Sequence, residues 1–167
     1  HCLYNNPTAM TSSYRKIITA DSGSITIGAA EAVPSLTSWP ATIASTSLIK
    51  TPTGEIICAS ISVVTDYLAM KVNVATRTSG GVWTGYANVV DLTSATYKSC
   101  PVINDIEFLN SVPNIVYSWK ERLDAGGRVT TSHVYTIHAT NYVQNGVAAL
   151  SWTNNVDLSI TQVTNSD

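Results

Sequence analysis

The sequence predicts an all-β fold, an antiparallel β-sandwich of the jelly-roll or immunoglobulin-like type with about ten short strands. Apolar and polar residues alternate along residues 67–90, and short alternating runs elsewhere are separated by turns rich in Gly and Pro. No segment combines a helical period with helix caps. One face of the 67–90 hairpin carries Leu68, Met70, Val72 and Val74. This hairpin is therefore predicted to lie in the core.

The chain divides into an N-terminal arm and one domain. Residues 1–14 show no period and predict an arm or connector, whereas residues 15–167 predict a single β-sandwich domain. This length is sufficient to bury the core of one domain. At the start of the domain, residues 15–20 and 25–27 are predicted strands, joined by a turn at Asp21-Ser22-Gly23-Ser24.

The same alternation predicts the later strands. Besides the two arms of the 67–90 hairpin, they cover residues 45–49, 55–64, 106–109, 129–142, 147–152 and 156–163. A second hairpin places Ile115, Tyr117 and Trp119 on one face of its first strand. Residues 29–44 and 91–100 lack alternation and are predicted loops. The turns between strands are predicted at Thr51-Pro52-Thr53-Gly54, Asp124-Ala125-Gly126-Gly127 and Asn145-Gly146.

The composition excludes several classes of partner. Charged residues make up 12% of the chain, its net charge is −2, and 41 of its 167 residues are Ser or Thr. Because no basic field is present, binding to nucleic acid or to an anionic lipid surface is not expected. No apolar run is long enough to cross a bilayer. The hydroxyl-rich, Lys-poor composition favours an exported chain that begins at His1 after removal of a leader, and hence an extracellular or cell-surface location.

The three cysteines leave two arrangements open. In one, Cys58 and Cys100 form a bond across a long loop, on the outer face of the sheet or at its edge, which would stabilise the fold by on the order of 4 kcal/mol. Cys2 would then bond to another copy of the chain. In the other, Cys2 pairs with Cys58 or Cys100, and the third thiol is free and buried. No pair of cysteines has the spacing of a structural zinc site.

An N-terminal histidine is able to chelate a metal through its α-amine and its ring. His1 in a β-sandwich thus resembles the copper brace of the lytic polysaccharide monooxygenases, which implies a copper site completed by a second imidazole. His133 and His138 are the candidates, but side chains five residues apart on one strand face opposite ways. We interpret His1 as the residue that follows a cleaved leader, and we keep a secreted copper enzyme as an alternative. No cofactor is predicted.

Two other groups of residues suggest binding or catalysis. Trp39 lies in a loop bounded by prolines, where an exposed aromatic ring would suit stacking against a sugar. Asp105 and Glu107 share one face of a strand, which is the arrangement of a carboxylate pair for glycoside hydrolysis or calcium binding. Charged residues that protect an exposed strand edge are the commoner explanation for such a pair.

The predicted function is that of a structural subunit in an extracellular, self-assembling polymer such as a filament, a pilus-like fibre or a coat. A strand or arm of one copy is expected to complete the sheet of the next, so the partners are other copies of the chain. The candidate assembly residues are Cys2, Leu3 and Tyr4 in the arm and Ile17, Ile25 and Ile27 in the following segment. A lectin or adhesin domain that binds surface glycans through Trp39 is an alternative, and the predicted function is not enzymatic.

Overall fold

The computed structural model describes residues 1–6, 11–19, 22–34, 42–63, 68–93, 96–122, 129–140, 142, 150–153 and 156–158. Within these residues the backbone forms β-strands and no helix, which confirms the predicted all-β class. In chain order the strands are β1 (Cys2–Asn6), β2 (Thr11–Arg15), β3 (Ile17–Thr19), β4 (Ile25–Ile27), β5 (Glu31–Ala32), β6 (Thr42–Lys50), β7 (Ile56–Val63), β8 (Ala69–Arg77), β9 (Trp83–Thr93), β10 (Tyr97–Leu109), β11 (Val112–Arg122), β12 (Val129–His138) and β13 (Val156–Asp157).

Two four-stranded antiparallel sheets form the main body. One has the strand order β6-β7-β8-β9 and the other β10-β11-β12-β13. Apolar side chains from both sheets share one core, in which Ile57, Ile61 and Val72 of the first sheet lie with Ile115 and Ile137 of the second. Since two sheets that bury their facing sides against each other make a sandwich, the predicted antiparallel β-sandwich is confirmed.

The central hairpin forms as predicted. Met70, Val72 and Val74 of β8 are fully buried in the sandwich core. Between β8 and β9 the Thr78 amide donates to the Val82 carbonyl at 2.8 Å. Gly81 closes the turn at φ 96°, a conformation that costs glycine little because it has no Cβ. The buried side of β8 and the hydrogen-bonded turn after it both support the predicted hairpin.

Both faces of β7 are buried, because a second, smaller core lies on the side away from the sandwich. Cys58 of β7 packs there with Tyr14 and Val33, which belong to the N-terminal part of the chain. Cys58 thus points away from the sandwich core, but the N-terminal residues cover it, so the alternative of a Cys58–Cys100 bond on an outer face or at an edge is wrong. Its thiol is free and buried.

The N-terminal residues have more regular structure than their sequence indicates. Strand β1 and most of β2 fall within residues 1–14, and β1, β2 and β5 form a three-stranded sheet. Tyr14 is buried against the outer side of β7. Val33, which directly follows β5, is buried in the same core, so these two side chains pack the N-terminal sheet against the sandwich.

The predicted loop at residues 91–100 is wrong. Strand β9 continues to Thr93 and β10 begins at Tyr97. The polar residues of this segment are accommodated because two of its charged side chains have partners. Asp91 forms an ion pair with Lys71 at 3.3 Å. The buried Lys98 donates to the carbonyl oxygens of Leu68 and Thr96, each at 3.1 Å. Burial lowers the pKa of Lys98.

Among the described residues, we find no helix with the length and hydropathy required to cross a bilayer.

The sandwich core predicts which truncations destabilise the protein. Replacing the buried Ile61 with Ala should lower the free energy of unfolding by about 2–5 kcal/mol, because the substitution removes packed methyl groups and leaves a cavity. Val82→Ala in the exposed turn is the control and should change it by less than about 0.5 kcal/mol. Urea denaturation of both variants measures the difference. Equal effects would contradict the assignment of Ile61 to the core.

Candidate functional site

The most unusual surface of the described chain is the hairpin formed by β3 and β4. Its register pairs Ile17 with Ile27 and Thr19 with Ile25, so Ile17, Ile25 and Ile27 share one face. Ile25 is 66% exposed, Ile27 60% and Ile17 41%. The predicted strand at residues 25–27 is thus confirmed, whereas within the predicted strand 15–20 only residues 17–19 form β3, and Arg15 belongs to β2. Ala20 and Asp21 lie outside the described residues. The apolar face of the hairpin is open to solvent.

The hairpin forms a sheet of its own, since β3 and β4 pair with each other and with no other described strand. A two-stranded hairpin is marginally stable by itself in water and needs packing on at least one face. Ile18, on the opposite face, is also exposed. Both faces of this short sheet therefore lack the apolar cover that would stabilise it.

Contacts at its base join the hairpin to β2. The Gly28 amide donates to the Lys16 carbonyl at 2.8 Å, and the Arg15 guanidinium donates to the Gly28 carbonyl at 3.2 Å. A Cβ at position 28 would lie 3.1 Å from the Lys16 oxygen, which is tighter than ordinary packing. Position 28 therefore favours glycine, and the hairpin leaves the N-terminal sheet at a defined point.

A partly buried ion pair between Glu31 and Arg77 joins the N-terminal sheet to the sandwich. The Arg77 guanidinium donates twice to the Glu31 carboxylate, from Nε at 2.7 Å and from Nη2 at 2.8 Å, and the Trp83 indole donates to it at 2.8 Å. Arg77 also lies over the Tyr14 ring, 5.4 Å from its centroid. The hydrogen bonds from Arg77 lower the pKa of Glu31 and raise the pKa of Arg77.

The histidines do not assemble into a metal site. The His1 ring stacks on Tyr14, and its Nδ1 lies 2.6 Å from the Tyr14 hydroxyl. His133 stacks on Trp119 with ring centroids 4.7 Å apart, whereas the strand register places His138 with the outward-facing residues of β12. Across the described residues there is no group of three or more side chains suited to hold a metal ion.

The remaining predicted site residues are only partly described. Trp39 lies outside the described residues, and so do the side chains of Cys2, Leu3, Tyr4 and Cys100, although the backbone of the last four is described in β1 and β10. Asp105 and Glu107 lie exposed on the outer face of β10. Exposed carboxylates of this kind suit a solvated strand better than catalysis, for which burial would tune the pKa.

The sequence did not single out two acidic residues, Glu31 and Glu55, to which the structure gives several hydrogen-bond partners. Glu31 lies 46 residues from Arg77, so no local spacing relates them. Glu55 is buried directly after the β6–β7 turn, where its carboxylate accepts hydrogen bonds from Thr51, Thr53 and Tyr142. These contacts tie the turn to a distant part of the chain. The only sequence signal was that Glu55 is the one charged residue of the predicted strand 55–64, and the sequence alone does not reveal its partners.

The buried thiol predicts slow chemistry at Cys58. Burial raises its pKa to about 12, and only the thiolate reacts with alkylating agents. In native protein at about pH 8, iodoacetamide should leave Cys58 unmodified, whereas the same treatment in urea should label it fully. Peptide mass spectrometry distinguishes Cys58 from the other cysteines. Rapid labelling of the native protein, or a disulfide at Cys58, would contradict the structure.

The Glu31 carboxylate predicts an acid-dependent loss of stability. Because its pKa in the folded protein lies below the ordinary value of 4.5, Glu31 stabilises the fold above that pH, and the contribution is lost as the pH falls through the lowered pKa. The difference in unfolding free energy between wild type and Glu31→Gln should therefore narrow as the pH falls into this range. Denaturant titrations at several pH values measure it.

Glu107→Gln, which removes an exposed carboxylate from β10, controls for the change in net charge. A gap between wild type and Glu31→Gln that stays constant down to acid pH would show that the Arg77 contact does not act through the ionised carboxylate.

No protein-family model matches the chain, and neither a curated protein nor a solved structure matches it.

Proposed function

We propose that this protein is a structural subunit of an extracellular, self-assembling polymer, and that the β3–β4 hairpin is the segment that one copy contributes to the next. The observation that carries the proposal is the apolar face of Ile17, Ile25 and Ile27, which is exposed on a sheet too small to be stable alone. Large apolar side chains grouped on an exposed surface are typical of a contact site.

The low charge of the chain supports association between copies. With charged residues at 12% and a net charge of −2, two copies repel each other only weakly. A surface rich in Ser and Thr is also inexpensive to desolvate compared with one rich in Lys and Glu. Such a composition suits a protein whose partner is a second copy of itself.

The contacts of the N-terminal strands favour the hairpin over the arm as the contributed segment. Strand β1 pairs with β2 along its whole length, and Tyr14 of β2 is buried in the second core of its own chain. Exchange of this region between copies would first have to break those contacts. The hairpin needs no such rearrangement because its isoleucines are already exposed.

Charged substitutions in the hairpin should abolish assembly. In Ile25→Asp and Ile27→Asp, burial of the hairpin face would strand a carboxylate in an apolar contact, which is strongly unfavourable. We expect these variants to stay monomeric in light scattering after size exclusion, and to give no polymers in negative-stain microscopy, at concentrations where wild type assembles.

Val82→Asp is the matched control, since Val82 is an exposed apolar residue of a different hairpin turn. It should assemble like wild type, and circular dichroism should show that all three variants keep the β fold. Runs with and without reductant separate a polymer held by Cys2 disulfides from one held by the hairpin. Wild-type protein that remains monomeric at high concentration under both conditions would refute the proposed function.

A further inference from the structure

The outer face of the β10–β13 sheet carries a second exposed apolar surface. In one row across the sheet, Val102 of β10 pairs with Ser118 of β11, which pairs with Val134 of β12. In the next row, Val116 of β11 pairs with Thr136 of β12, which pairs with Val156 of β13. Both rows lie on the side away from the sandwich core. Leu158 extends this surface, because its amide donates to the Val134 carbonyl at 2.8 Å. The outer-face patch is thus made of Val102, Val116, Val134, Val156 and Leu158.

The members of this patch differ in exposure, and they alternate with Ser118 and Thr136 across the sheet. Val156 is 49% exposed and Leu158 47%, and Val102 at the other side of the sheet is 42% exposed. Val116 and Val134 lie half-buried between them. Four strands at their usual spacing make the patch about 15 Å wide. A hairpin with strands of three residues is about 10 Å long, so it fits on this surface.

Charge is distributed in a complementary way on the two surfaces. Lys16 is exposed immediately before the first isoleucine of the hairpin. Asp105 and Glu107 are exposed on the outer face of β10, beside the outer-face patch. With the hairpin over the patch and its base toward these carboxylates, opposite charges would meet at the rim. Rim charges of this kind set the orientation of an interface more than its strength.

Three of the four edge strands of the described sandwich are poorly suited to receive another strand. Strands β6, β9 and β10 lie at sheet edges, and each takes part in a pairing with a register shift. The fourth, β13, has only two residues. Bulges bend an edge strand and interrupt the regular row of backbone groups that strand addition requires. A contact on the face of a sheet does not need that row.

We infer that the outer-face patch receives the β3–β4 hairpin of a second copy, an inference that rests on the proposed function and names its acceptor. Each copy then carries one donor and one acceptor on different sheets, so the contact is head-to-tail. Such a contact leaves an unused hairpin at one end and an unused patch at the other. Unless the rotation between copies closes a ring, addition continues and produces a filament.

Mixing two assembly-deficient variants tests this arrangement. Ile27→Asp lacks a working hairpin but keeps the patch, whereas Val156→Asp lacks the patch but keeps the hairpin. Each alone should be monomeric. Their equimolar mixture should form dimers and nothing larger, because it contains one productive hairpin–patch pair whose other ends are blocked. Static light scattering of the concentrated, unfractionated mixture should approach twice the chain mass of 17.8 kDa.

Val129→Asp is the control on the same sheet, since Val129 is an exposed valine of β12 that lies outside the patch. It should polymerise like wild type. If Val156→Asp also polymerises while Ile27→Asp does not, the acceptor lies elsewhere and this inference fails, although the proposed function stands. If the mixture stays monomeric, the hairpin and the outer-face patch do not bind each other and the inference fails. If wild type never assembles, the proposed function fails as well.

A charge exchange tests the orientation. Lys16→Glu should raise the concentration needed for assembly by up to about five-fold, the size of effect expected for an exposed ion pair. Combining it with Asp105→Lys and Glu107→Lys should restore the wild-type value. A combined variant that assembles less readily than Lys16→Glu alone would overturn the proposed orientation of the hairpin on the patch.

Discussion

Burial of strand β7 on both faces is the constraint on which the rest of the structure depends. All eight residues from Ile56 to Val63 are buried. Their alternate side chains supply the sandwich core on one side and the smaller core under the N-terminal strands on the other. A strand buried on both sides needs cover from two layers, and the second layer here comes from the chain on both sides of the hairpin, with Tyr14 before it and Val33 after it. The position of the hairpin is therefore set by the packing of β7.

The Glu31–Arg77 ion pair fixes the orientation of the N-terminal sheet on the sandwich. It joins β5 of the N-terminal sheet to β8 of the sandwich, and Trp83 and Tyr14 enclose it. A guanidinium held by two hydrogen bonds to one carboxylate permits little rotation. This contact therefore defines an orientation that apolar packing of Tyr14 alone would leave loose.

The alternation of apolar and polar residues was sufficient to predict the all-β sandwich. It predicted the inward side of β11 because that strand has one buried and one more exposed side, and it predicted the core residues Met70, Val72 and Val74 of β8 although the other side of β8 is also largely buried. It failed where polar residues are buried with partners, as at Lys98, and where both faces of a strand are dry, as at Cys58. The Glu31–Arg77 contact joins residues with no local relation, so only the folded chain brings them together.

The strength of the proposed contact follows from its size. Complete burial of one isoleucine contributes about 1.5–3 kcal/mol, and the isoleucines of the hairpin are already partly covered. Even with the outer-face patch included, the apolar gain is comparable to the entropic cost of association, which is about 4–15 kcal/mol. A single hairpin–patch contact is therefore weak, and two copies would separate readily. In a head-to-tail polymer each added copy forms one such contact, so the mean polymer length should rise gradually with protein concentration and fall on dilution.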